Sequence, residues 1–135
     1  MSTLTVTNIK ASGETASRAV SGVAAAWVNF DGRSTVTTRD SNNVSSITDN
    51  GTGDYTVEIN NDMNNNDYSV SGTCMRDAGT TGTDVSRILH LQSTGTTSYD
   101  SMVTTGAVRI TCKRVDTYAT DDPQAATATI HGDLA

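Results

Sequence analysis

The sequence predicts an all-β protein: an antiparallel β-sandwich, jelly-roll-like, with a short extended N-terminal arm. Three observations predict it. Apolar and polar residues alternate most clearly at Tyr55, Val57 and Ile59 on one parity and Thr56 and Glu58 on the other, a period of two that suits a half-buried strand and not a helix. Short runs of this kind recur, divided by clusters of Gly, Asn, Asp and Ser that accept the backbone angles of turns. No segment carries a sustained apolar stripe at helical spacing.

Residues 1–22 read as an arm and residues 23–135 as the domain. Leu4, Val6 and Ile9 suit one short strand. The small, polar stretch that follows suits a tether ordered against a partner. The domain divides into strands near 23–30, 34–39, 43–48, 54–60, 67–75, 86–92, 98–103, 106–115 and 124–131. Val85, Ile88, Leu89 and Leu91 come closest to a helical turn, but the strand signals around Ser98 and Tyr99 favour a strand there. The densest turn signal is Asp49-Asn50-Gly51-Thr52-Gly53-Asp54, and Pro123 suits a loop entering the last strand.

Alternation points Trp27, Phe30, Val36, Val44, Ile47, Tyr55, Val57, Ile59, Tyr68, Val70, Leu89, Leu91, Val108, Ile110 and Ile130 inward. Trp27 and Phe30 have opposite parity, so either a bulge separates them or one faces a second interface. The small Ala and Thr side chains of residues 125–130 read as an edge or subunit-contact strand.

Composition bounds the function classes. Hydrophobic residues make up 35% of the 135 and aromatics 4%, so the core is thin, while Thr, Ser and Asn supply about a third of the chain. Such a domain gains stability when subunits bury surface together. Nine Lys and Arg against fifteen Asp and Glu give a net charge of -6 with no basic run, which argues against binding nucleic acid through phosphates. The longest apolar run, Val23 to Val28, is too short to span a membrane. The opening MSTLTVTNIK lacks a basic segment followed by an apolar one, so synthesis in the cytosol is expected.

Chemistry finds little purchase. His90, between Leu89 and Leu91, points away from them toward solvent; His131 lies near the C-terminus; no nucleophile motif surrounds either. No catalytic residue, cofactor site or metal site is assigned. Asp121-Asp122 and the Asn- and Asp-rich loop 60–67 hold oxygen ligands, but without an EF-hand order or a terminal Glu a solvated loop is the simpler reading. Gly79-Thr80-Thr81-Gly82-Thr83 lacks the Lys of a phosphate loop. Tyr99 and Tyr118, amid polar residues, suit stacking on a sugar; the alternative is strand-face tyrosines with wet hydroxyls. Cys74 and Cys112 keep the parity of apolar neighbours. They read first as buried small hydrophobes, next as a disulfide between facing strands, which cytosolic synthesis disfavours, and last as metal ligands.

The run Trp27-Val28-Asn29-Phe30-Asp31-Gly32, then Val36, Arg39-Asp40-Ser41, and Asn43 through Val57 (NVSSITDNGTGDYTV) resembles a module of virion proteins in tailed bacteriophages, especially marine ones. It is similar both to tail-fibre tips and to small free-standing virion proteins, over roughly residues 24–75. The resemblance implies a β-rich, trimeric protein of the virion surface without catalytic residues. The expected function is a tail-fibre or receptor-binding tip attaching to the host surface. A head decoration protein held to the capsid shell by residues 2–20 is the alternative, and a free carbohydrate-binding sandwich is an alternative of another class. The implied partners are copies of itself, other virion proteins and a host glycan. One departure stands out: a tail fibre carries a long shaft before its tip, and here only about 22 residues precede the module.

Overall fold

The computed structural model describes residues 5–9, 18–19, 23–75, 86–92 and 98–135. Two short strands, β1 (Asn8–Ile9) and β2 (Arg18–Ala19), pair antiparallel. This corrects the expected single strand. Val6 is exposed, and the pairing partner of the Ile9 segment lies within the arm itself; Leu4 is outside the described residues.

The domain comprises β3 (Ala24–Asp31), β4 (Thr37–Asn42), β5 (Val44–Gly51), β6 (Asp54–Ile59), β7 (Ser69–Met75), β8 (Arg87–Leu91), α1 (Tyr99–Met102), β9 (Ala107–Arg114) and β10 (Ala125–His131). Four strands face four in an antiparallel β-sandwich, one sheet ordered β4-β3-β10-β7 and the other β5-β6-β9-β8. Alternation builds the core directly. Along β3, Ala26, Val28 and Phe30 are buried; along β6, Tyr55, Val57 and Ile59; along β10, Ala126, Ala128 and Ile130. Phe30 and Tyr55 meet edge to face across the sandwich, ring centres 5.0 Å apart, a favoured aromatic geometry. Val36, Val44, Ile47, Val70, Leu89 and Leu91 are half-buried against this core.

Four expectations need correction. Trp27 does not face inward. The pairing of β3 with β4 shifts between Asn29 and Phe30, but burial alternates without a break from Ala26 to Phe30. Phe30 and its small partners therefore claim the interior, and Trp27 stands half-buried on the outer face. Residues 98–103 are not a strand: Ser98 caps the short helix α1 in extended conformation, and buried Val103 leaves it to bridge Val108. The Ala/Thr strand β10 is not an edge; it pairs with β3 on one side and β7 on the other. Its small side chains fill a narrow interior. His90 is half-buried rather than solvent-facing, its Nδ1 2.7 Å from Leu91 O, so that nitrogen carries the donated proton.

Asn43 turns the chain from one sheet to the other. It sits alone between β4 and β5 at φ 54°, left-handed backbone that Asn tolerates better than most residues. Its Nδ2 donates to Ala25 O and Asn61 O, each at 3.1 Å, and its Oδ1 accepts from Asn61 N at 2.8 Å and Asn61 Nδ2 at 2.9 Å. One side chain thus ties both sheets to the loop that follows β6.

Candidate functional site

The strands bring two sets of loops to opposite ends. One end gathers the 32–36 loop after β3, the β5–β6 turn and the 115–124 segment before β10. The other gathers the Asn43 corner, the 60–68 loop, α1 and the C-terminus. The first end holds an open basin of about 580 Å³, walled by Asp31, Arg33, Ser34, Thr35, Thr37, Arg39 and Asp122.

The basin is built from its floor upward. Beneath it, a side chain on Gly32 would run into Tyr55 Oη and Pro123 Cδ, so only Gly lets the backbone pass. Gly32 N donates to Pro123 O at 2.9 Å, joining the β3 exit to the β10 entry. The Tyr55 hydroxyl donates to Asp122 Oδ1 at 2.8 Å, and Gly53 N donates to the same oxygen at 2.7 Å. Burial, reinforced by the Asp122 carboxylate, pushes the Tyr55 phenol above its usual range. Asp122 is therefore a strut of the floor.

Asp31 gathers two guanidinium groups on the wall. Its Oδ1 accepts from Arg33 N at 3.1 Å and Arg33 Nε at 3.0 Å; its Oδ2 accepts from Arg33 Nη2 at 2.8 Å and Arg39 Nη2 at 3.0 Å. Arg39 Nη2 also donates to Gln124 O at 2.5 Å. The hydrogen-bonded Arg33 guanidinium, with Arg39 beyond it, holds the Asp31 carboxyl well below the usual carboxylate range. Ser34, at φ 56°, turns the loop back so that its hydroxyl-bearing neighbours line the rim. Both arginine side chains remain more than a third exposed. The arrangement offers fixed planar donors, hydroxyls and carboxylate oxygens on an open polar surface: the means to hydrogen-bond a polar ligand.

The sequence-selected residues fall elsewhere. Tyr118 is 71% exposed in the loop after β9, at the basin end, whereas Tyr99 lies in α1 at the other end and donates to Asn66 O at 2.9 Å. They cannot share one sugar platform. Asp121 and Asp122 diverge: Asp121 Oδ2 accepts from Arg87 Nε at 2.7 Å while Asp122 serves Tyr55. The 60–67 loop is pinned by its own polar groups, Asn66 Nδ2 donating to Asp100 Oδ1 and Asp67 N to Asn65 Oδ1, both at 2.9 Å. Among the described residues no group of three or more His, Cys, Asp or Glu is placed to hold a metal, and no helix is long and apolar enough to cross a membrane. The Gly79–Thr83 run lies outside the described residues. Cys74 and Cys112, by contrast, are brought together, their Sγ atoms 2.7 Å apart.

Sequence reasoning missed the Asp31, Arg33 and Arg39 trio. The signal was present in the charged punctuation of Asp31-Gly32-Arg33 and Arg39, but only the pairing of β3 with β4 folds position 39 back over position 31. No protein-family model, curated protein or solved structure matches the chain.

Proposed function

We propose that this chain is a non-enzymatic structural protein of a bacteriophage virion, displayed on the particle surface as a receptor-binding tip. The observation that carries the reading is the open, arginine-walled basin at one end of the sandwich. A broad polar surface of this kind suits weak contact with a host-surface glycan, and several copies on one particle convert weak contacts into avidity. The sequence resemblance over residues 24–75 supports placing it on a phage, as a trimer, with the arm joining it to other virion proteins.

Immunogold electron microscopy of purified particles tests the placement: label is expected at the tail tip. Label spread over the head would assign capsid decoration instead, and particles without label would leave a free glycan-binding domain. Purified protein is also expected to slow phage adsorption to host cells in competition. The double variant Arg33→Ala, Arg39→Ala should lose that competition about tenfold or more, since each charge-assisted hydrogen bond contributes about 1.5–3 kcal/mol. Undiminished competition by the double variant would remove the basin from the contact.

A further inference from the structure

We infer that Cys74 and Cys112 are a disulfide-forming pair that covalently clasps the two sheets, with Cys74 the sulfur that reacts first. Cys74 lies on β7, the edge of one sheet; Cys112 lies on β9, inside the other. The bond would therefore join layers that no backbone ladder joins. The sulfurs stand 2.7 Å apart, so a small side-chain rotation brings them to the bonded separation of about 2.05 Å.

The surroundings divide the labour between them. Cys112 is fully buried and Cys74 half-buried. The Cys112 thiol donates its proton toward Cys74, which lowers the Cys74 pKa against the opposing effects of burial and the Asp121 carboxylate, with the Arg87 guanidinium adding to the lowering; the same contact, with burial, raises that of Cys112. The Arg87 side chain is only 5% exposed and paired with Asp121, so its charge acts through little solvent. Thiolate character and access thus coincide at Cys74, the combination that selects the attacking sulfur.

The oxidant is a small-molecule disulfide such as oxidised glutathione. The Cys74 thiolate attacks one of its sulfurs; a protein–small-molecule S–S bond forms, the small S–S bond breaks, and one small thiolate departs. Cys112 then gives up its proton to solvent or the departed thiolate and attacks Cys74 Sγ, expelling the second small thiolate. Two protein thiols lose two electrons in total, and one small disulfide becomes two thiols. A chain made in reducing cytosol would close this clasp on reaching an oxidising medium.

The purified full chain, incubated with oxidised glutathione, tests this by intact mass and non-reducing peptide mapping. The expected result is loss of two hydrogens, one Cys74–Cys112 cross-linked peptide, protection of both cysteines from alkylation in denaturant, and a higher urea midpoint. The variant Cys112→Ala is expected to retain a stable glutathione adduct on Cys74. An unchanged wild-type mass with both cysteines alkylated, a lasting adduct without the cross-link, or an intermolecular dimer would each overturn the inference. Because the wild-type measurement stands alone, failure of the variant to fold does not obscure the outcome.

Discussion

Asn43 shows how one side chain decides the sandwich. Its left-handed backbone and hydrogen bonds to Ala25 and Asn61 hold the crossing between sheets. Asn43→Gly keeps the backbone freedom and loses the side-chain bonds, an expected cost of about 1–2 kcal/mol in urea unfolding. Asn43→Ala loses the same bonds while keeping a β-carbon in the left-handed region that Gly would relieve, and should cost about 1 kcal/mol more than Asn43→Gly. Equal losses would mean the corner geometry contributes nothing. Asp31 sets a pH-dependent contribution. Its folded pKa is depressed by Arg33 and Arg39, so the stabilisation is present above the unfolded value, near pH 4, and fades as pH falls toward the folded value. Asp31→Asn should therefore unfold more easily than wild type at pH 7, and the gap should narrow on acidification below about pH 4. A gap that widens there would contradict the pairing. The identities of these residues were plain in the sequence; their partners, 18 positions away for Asn43 with Asn61 and 8 for Arg39 with Asp31, were not.

At the scale of elements, the β5–β6 hairpin was the most legible feature, because dense turn chemistry precedes clean alternation. Its fit against the neighbouring loop was hidden. Gly53 has φ 67°, and a β-carbon there would approach Asp121 N and Cys112 O to 2.7 Å. Gly53→Ala should cost about 2–3 kcal/mol through strain and collision, read as a lowered urea midpoint, whereas Gly51→Ala meets no neighbouring atom and bears only its backbone penalty at φ 130°. Comparable losses would sink the packing argument. The errors at β10 and α1 share a cause. Alternating small residues look alike at an edge and in a narrow interior, and four helical residues leave no period to read.

For the whole molecule, a sandwich of eight described strands around a lean core places assembly ahead of chemistry in the proposed role. Deleting residues 2–20 should preserve a β-type far-ultraviolet spectrum and abolish incorporation into particles, measured by immunoblotting of purified virions. Unchanged incorporation would discard the arm as the tether. Local physics settled the fold class and nearly every strand of the domain, because two-residue periodicity and turn chemistry act between near neighbours in the chain. It also settled the parity of Tyr55, Val57, Val108 and Ile110, which face inward as their alternation requires. Tertiary structure alone decided that Trp27 stands outside while Ala26 and Val28 lie within, that Tyr99 and Tyr118 occupy opposite ends, and that Asp31, Arg33 and Arg39 wall one basin. Periodicity specifies that a strand has two faces. Which face wins, and which distant loops become neighbours, depends on how two sheets share a limited interior, a competition among residues far apart in the chain.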